Sequence, residues 1–454
     1  MTFDPANLST EKMHEWEVYS RGLETELRQC LDEGKDVSRY ADLCAAIAAL
    51  PLGPMREELA DVFFRAVDGM PLRPDYPYCE PDDLDAIRAA RPAEAVSLPP
   101  RVNETDYRDT VYGAWLGRIC GCLLGKPVEG MRTETLHTLL KNSGNFPLRR
   151  YITLRDLEMT PALLSEWRNG AWADTIGGCA PADDDTNYTV MAALGIVEKY
   201  GRGFTSDDVA RAWVDLQPKR AYCTAERRAF RNFVIGITPP RSATYKNPDR
   251  EFIGAQIRGD YFGYINPGDP ETAADMAWRD ARVSHVKNGV YGEMFVAAML
   301  AAAAVTDDLR LVVEAGLGQI PANSRLSEGI RRVTADYDAG LSEEQCFARI
   351  ADRWDEHKAY DWVHTISNAE IVTASLLYGN LDYEHSICRA VQTGFDTDCN
   401  GATVGSIVGM IIGARALPAA WTDIVGDSLN TAIFGVGRVR ISDLADLTLR
   451  HANI

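Results

Sequence analysis

The chain reads as an all-α protein: a compact multi-helix domain preceded by a small helical N-terminal extension. Three observations predict this. Apolar residues recur at helical spacing in one segment after another, two apolar stretches carry glycine at every fourth position, and alternating runs that would make strands are scarce. With 454 residues, 46% of them apolar, the chain can build a large core and more than one unit.

Taken in order, residues 1–102 are expected to form a helical segment and a Pro-rich linker, and residues 103–454 the main domain. Leu23, Leu27 and Leu31, then Leu43, Ile47 and Leu50, follow helical spacing, with Pro51 and Gly53 as punctuation. From Pro71 to Arg101 the chain is Pro-rich and acidic, as a linker or extended arm would be. The main domain is expected to begin near Asn103 with an apolar stretch bearing Gly113, Gly117, Gly121 and Gly125. A second such stretch bears Gly401, Gly405, Gly409 and Gly413, which suggests two glycine-faced helices packed closely in one core. Each glycine costs a helix about 1 kcal/mol, so the close approach must repay it. Further helical patterns cover 207–216, 289–305, 308–317, 342–354, 366–378 and 384–393. Residues 238–270 carry no such pattern and are expected to form a long loop of the kind that often binds ligands. Its Tyr261, Phe262 and Tyr264 could stack on a base or simply anchor packing.

Charge narrows the function classes. Lys and Arg number 47 against 66 Asp and Glu, a formal net charge of -19, which disfavours nonspecific binding to nucleic acid or anionic membrane. The N-terminus has neither a basic nor an apolar signal region, and the longest apolar runs, near 295–305 and 404–414, are too short or interrupted to span a bilayer. Ten cysteines without metal-finger spacing look like reduced thiols, so a cytoplasmic location is expected.

Two acidic clusters carry the chemistry. Asp396 and Asp398 precede the second glycine stretch; two residues apart on a helix they would diverge by roughly 200°, so they are expected in a loop. They serve either as an acidic cap of the following helix or as ligands. Asp183, Asp184 and Asp185 precede a pattern of Val190, Leu194 and Val197 that ends at Gly201. One cap needs one carboxylate, and three adjacent ones repel, so surplus acid points to a hard divalent cation held by oxygen donors of both clusters.

These residues resemble the ADP-ribosylglycohydrolase family, which includes dinitrogenase reductase-activating glycohydrolases and ADP-ribosyl-acceptor hydrolases. Three motifs match in the family's order, over about residues 106 to 440: Gly125-Lys126-Pro127-Val128-Glu129, then Asp184-Asp185-Thr186, then Asp396-Thr397-Asp398. The resemblance implies an all-α domain that hydrolyses a glycosidic bond to an ADP-ribosyl group, with two magnesium ions, or manganese, in a central cleft. It implies Asp184, Asp185, Asp396 and Asp398 as ligands, with Asp183 and Cys399 as further candidates, and Glu129 and Asp398 as catalytic carboxylates. His285, His364 and Asn368 would line the substrate cleft, although His285 is equally a capping or core histidine. Taken without the family, Glu129 is a helix-end carboxylate paired with a base such as Arg132. The chain departs from the family pattern at Cys122, where many members have Asp, at Cys399, where many have Thr, and in its N-terminal hundred residues, which have no counterpart in the minimal family domain; Asp183 stands where many have Thr or Ser. Cys120, Cys122 and Cys399 read as buried small hydrophobes. The implied partner is an ADP-ribosylated protein or a small ribosyl substrate; alternatives are an N-ribosyl hydrolase of a nucleoside-like metabolite and a non-catalytic ADP-ribose-binding relative.

Overall fold

The computed structural model describes residues 17–94, 96–99, 104–168 and 170–452. Residues 1–16, on which the expectation of no signal peptide rests, and Asn103, the expected start of the main domain, lie outside the described residues. Among the described residues the regular elements are helical apart from one antiparallel ribbon, Ser428–Asn430 paired with Arg438–Arg440. No helix among them is long and apolar enough to cross a membrane.

The helical patterns of the sequence correspond to helices at Ser206–Leu216, Lys287–Ala303, Leu309–Leu317, Glu343–Arg353, Thr365–Gly379 and Tyr383–Val391. Their starts follow from local chemistry. The Thr205 and Ser342 hydroxyls form capping boxes with Asp208 and Gln345, and the Asp308 carboxylate accepts from the amides of Arg310 and Leu311. The Lys287–Ala303 helix is buried from Asn288 to Ala303, which is why its sequence is apolar on every side instead of along one stripe.

Residues 238–270 differ from the expected long loop. Short helical turns at Arg241–Thr244, Gln256–Arg258 and Asp260–Tyr264 break the segment up, and Tyr261, Phe262 and Tyr264 are fully buried. The turns are too short to show a period in sequence. Their aromatic rings pack in the core instead of facing a ligand: Trp115 meets Tyr264 with centroids 5.6 Å apart, and Phe204 stacks on Phe262 at 5.4 Å.

Helices at Leu23–Asp32, Ala41–Ala48 and Pro54–Asp68 share a small core of Leu23, Cys30, Ile47, Phe63 and Val67. Buried ions fasten them to the rest of the molecule: Arg250 meets Glu26 at 2.7 Å and Glu33 at 2.6 Å, and Gln29 donates to Glu251 at 2.6 Å. Removing one member of such a buried pair leaves an uncompensated charge, at a cost of about 3–5 kcal/mol. The Pro-rich segment that follows holds a short helix, Leu84–Ala89, and is fastened to the rest of the molecule just before it. Cys79 donates its amide to Asn323 at 2.8 Å, Glu80 pairs with Arg325 at 2.8 Å, and Asp82 accepts from the Lys287 amide at 2.8 Å.

The two glycine-faced segments form the Glu104–Gly125 and Thr397–Ile412 helices, which run antiparallel and touch from Gly113 against Gly409 to Gly125 against Thr397. A methyl group on Gly117 would lie 2.1 Å from the Gly405 carbonyl oxygen, and one on Gly121 would lie 2.0 Å from that of Gly401. At the far end one on Gly125 would sit 2.3 Å from the Thr397 carbonyl carbon. The Thr397 hydroxyl also donates to the Gly125 carbonyl at 2.9 Å. The end of the first helix is therefore pinned against the start of the second. Gly117→Ala should lower the unfolding free energy by about 1–3 kcal/mol through overpacking, even though alanine is intrinsically the better helix former. Urea denaturation measures this, and undiminished stability would mean that the helices are free to part.

Candidate functional site

The pinned end brings the sequence motifs together. Glu129 follows the first glycine helix after a single 3-10 turn, Lys126–Val128, and Asp396 and Asp398 stand at the start of the second. The sequence expectation of a loop needs correction here: Asp398 is already in the first helical turn. Asp396 is the residue before the helix, with φ -75° and ψ 89°, so its side chain escapes the helical divergence and both carboxylates can reach one place.

Asp183 caps the helix that begins at Asp184, accepting from the Asp185 amide at 3.0 Å. The approach to this helix is fixed by Ala180, whose backbone pairs with Ser428 and Asn430 of the ribbon at 2.9 Å each. Behind it the helix widens to a π-helical stretch, Met191–Val197, before ending at left-handed Gly201. Such widening is frequent near functional sites.

Two helix starts thus aim acids at one point. Ligand-type atoms of Glu129, Asp396 and Asp398 lie within 4.8 Å of one another, as do those of Asp185, Asp398 and Cys399, and those of Cys122, Asp183 and Asp185. Shared members Asp185 and Asp398 join these sets into one centre. Asp184 is partly exposed and belongs to none of the sets. Cys122 and Cys399 are buried, as their reading as small apolar residues requires, yet their sulfurs also face the acids.

Two cations that the sequence reading passed over hold the centre in place. Arg118, fully buried, donates to the Asp185 carbonyl at 2.7 Å and meets the Asp185 carboxylate at 3.3 Å and that of Asp260 at 2.9 Å. Lys126 places its Nζ 2.7 Å from Asp183 Oδ2, 2.8 Å from Glu129 Oε2 and 3.2 Å from Asp398 Oδ2. The base beside Glu129 is thus Lys126; Arg132 instead lies over the Trp362 ring at 4.8 Å. A signal existed for both. Arg118 is a charged residue inside an otherwise apolar glycine helix, and Lys126 lies within the Gly-x-Pro-x-Glu turn itself.

Within the acid centre four buried carboxylate oxygens of the described residues make no hydrogen bond: Asp183 Oδ2, which has the Lys126 ammonium 2.7 Å away, and Asp185 Oδ2, Asp396 Oδ1 and Asp398 Oδ1. Such atoms cost about 1–3 kcal/mol each, more when charged. The same crowding shifts protonation. Burial, then the Asp398 charge, holds the Asp396 and Asp185 carboxyls well above the usual carboxylate range. The Asp398 charge and burial push Glu129 up to about 8, against the pull of Lys126. Burial and Asp183 push Asp184 up to about 7. Burial acts to raise Asp183 too, but the Lys126 ammonium outweighs it and keeps that carboxyl below its ordinary value. Burial works against the Lys126 charge, and Asp183, Asp398 and Glu129 together still hold its pKa far above that of a free lysine.

The three residues expected to line the cleft are all buried, each with partners inside the fold. His285 is buried with Nδ1 2.8 Å from the Ser284 hydroxyl and Nε2 4.0 Å from Glu226, and burial keeps its pKa well below normal. His364 caps the Thr365–Gly379 helix, accepting from the Ile366 amide at 3.2 Å, and its Nε2 lies 3.8 Å from Glu251. Asn368 does reach the acid centre, through the backbone. Its Oδ1 accepts from the Asp396 amide at 3.3 Å and from Asn400 Nδ2 at 2.8 Å, while its own Nδ2 is used by the Trp362 and His364 carbonyls. It holds the Asp396 turn in place.

Fold and site together define an all-α protein with a buried polycarboxylate centre where two helix starts and one helix end meet. The ADP-ribosylglycohydrolase family profile matches residues 103–453, and the chain belongs to that family. An uncharacterized protein of Archaeoglobus fulgidus is 25% identical over 320 residues, covering 69% of this chain and 90% of the relative. A solved structure described as an ADP-ribosylglycohydrolase-related protein complex is 18% identical and covers 76% of this chain and 98% of its own, with a TM-score of 0.47.

The raised Asp396 carboxyl has a measurable consequence in metal-free protein. Its contribution to stability is fully present below the unfolded-state value of about 3.9 and is lost as pH rises toward the folded-state value. Asparagine carries no such titration, and the Asp396 side chain makes no capping hydrogen bond that the change would remove. Asp396→Asn should therefore gain in melting temperature over the parent as pH is raised from about 4 to about 8. A difference between the two proteins that does not vary with pH would remove the charge crowding ascribed to this carboxylate.

Proposed function

We propose that this protein is a divalent-metal-dependent glycohydrolase that cleaves the bond between an ADP-ribosyl, or related ribosyl, group and its acceptor, with magnesium as the metal and manganese able to replace it. The observation that carries this reading is the buried carboxylate oxygens on Asp185, Asp396 and Asp398 that make no hydrogen bond, with Asp398 sharing one ligand-sized set with Asp185 and another with Asp396. Oxygen donors of this kind suit hard divalent cations. Asp185, Asp396 and Asp398 would hold the metal, with Asp183 paired to Lys126 beside it and Asp184, partly exposed, next to both. Bound there, the metal would supply Lewis acidity and a more acidic water.

The residues' own tasks follow from their positions. Glu129 is about 39% exposed at its side chain, the most accessible carboxylate of the Lys126 cluster, so it borders the space a substrate would enter. In hydrolysis the bond from the anomeric carbon to the leaving atom breaks, the oxygen of water joins that carbon, and one water proton ends on the leaving group. Glu129 would carry that proton, accepting it from water and delivering it to the leaving atom. Lys126 orients Glu129 through the 2.8 Å contact. Asp398, shared between the acid sets, links Glu129 to the metal-binding oxygens. Asn368 fixes the turn that aims Asp396, and Arg118 fixes Asp185. No covalent nucleophile is required.

Cys122 and Cys399 favour testing small ribosyl substrates beside ADP-ribosylated protein, since both thiols face the acids where many members of the family carry oxygen side chains. Release of ADP-ribose from ADP-ribosylated protein, compared with base release from a nucleoside panel, tests the substrate class; turnover of neither, with ADP-ribose still bound, would show a binding protein instead. Chelation should abolish turnover while leaving the helical circular dichroism intact, and activity that survives removal of all metal would refute the metal requirement. Glu129→Gln should lower turnover about 10²- to 10⁴-fold with a much smaller change in ligand affinity. Parent-like turnover of this variant would leave Glu129 a structural partner of Lys126.

A further inference from the structure

We infer that the Lys126 ammonium is itself one of the cations of this centre, so that the chain binds a single divalent ion where a pair would otherwise fit. This rests on the divalent-metal reading above. The carboxylate oxygens fall into two groups. Asp183 Oδ2, Glu129 Oε2 and Asp398 Oδ2 surround Lys126 Nζ at 2.7, 2.8 and 3.2 Å and are supplied with positive charge by it. Asp185 Oδ2, Asp396 Oδ1 and Asp398 Oδ1 are buried and face no donor among the described residues.

The two groups meet at Asp398, whose Oδ2 belongs to the first and whose Oδ1 belongs to the second. A metal ion ligated by the three oxygens of the first group would have to occupy the position of Nζ, because carboxylate oxygens bind such ions at about 2.0–2.6 Å. The ammonium and a second ion therefore exclude each other. The lysine is not a stray surface group that happens to fall inward. Its backbone lies in the 3-10 turn fixed by Gly125 against Thr397, and its side chain is only about 28% exposed. The second group has no such occupant and keeps the capacity for one ion at Asp398, which shares one ligand-sized set with Asp185 and the Cys399 sulfur and another with Asp396.

The test counts metal in the full-length protein. Stripped protein is loaded with manganese, freed of excess by gel filtration, and measured by elemental analysis together with electron paramagnetic resonance. The parent should hold one manganese per chain with the six-line spectrum of an isolated ion. Lys126→Met and Lys126→Gln should each hold two, with the spectrum of an exchange-coupled pair. Two ions in the parent would overturn the inference while leaving the metal-dependent reading intact, as would variants that fold normally by circular dichroism yet stay at one. A parent that binds no manganese or magnesium at all would sink the metal reading itself, and this inference with it. Should both variants fail to fold, the parent count and spectrum decide alone.

Discussion

The centre depends on a backbone contact in which no side chain takes part. Gly113, Gly117 and Gly121 on one helix meet Gly409, Gly405 and Gly401 on the other, so close that a single methyl group at any of them would overlap a carbonyl of the partner. The approach is set by carbonyl oxygens against glycine faces, and helix propensity is given up along both elements to allow it. Because the helices are antiparallel, this contact aligns the turn after Gly125 with the start at Asp396. Glu129, Lys126, Asp396 and Asp398 are neighbours for that reason, although more than 260 residues separate the two motifs.

A centre with this much like charge needs help from every quarter. The two helix starts contribute partial positive charge at Asp183–Asp185 and at Asp396–Asp398. Arg118 and Lys126 add two full charges from the same glycine helix and the turn after it, one beneath Asp185 and one among Asp183, Glu129 and Asp398. What remains is oxygens with no donor, a local instability that a folded protein tolerates where binding relieves it. The second layer is equally economical in residues. Asn368 spends all its polar capacity on keeping the Asp396 turn and the Thr365–Gly379 helix in register, and His364 starts that helix.

Much of this was legible in the sequence, and the misses share one cause. Glycine spacing announced the paired helices because four-residue recurrence maps onto one helix face. The motifs Asp183–Asp185 and Asp396–Asp398 stood out because acid in excess of a cap has no structural use. Helices at 207–216, 289–305 and 366–378 were visible because their burial imposes a period or an unbroken apolar run. Residues 238–270 failed that test: turns of three to five residues leave no period, and their burial comes from distant partners such as Trp115 and Phe204. His364 and Asn368 were placed near the right element, but whether a polar side chain faces a cleft or a neighbouring backbone depends on contacts far away in the chain.

The sequence by itself determined the helical class, the glycine-faced pair, the acidic motifs and the family, since each is a local pattern of residue type and spacing. Only the tertiary structure decided which charge sits beside which. That Lys126, not Arg132, pairs with Glu129, that Arg118 underlies Asp185, and that Asp396 stands just before its helix start are facts about distances across the fold. Electrostatic energy varies with separation and with the surrounding medium, and neither quantity is written in the order of residues along the chain.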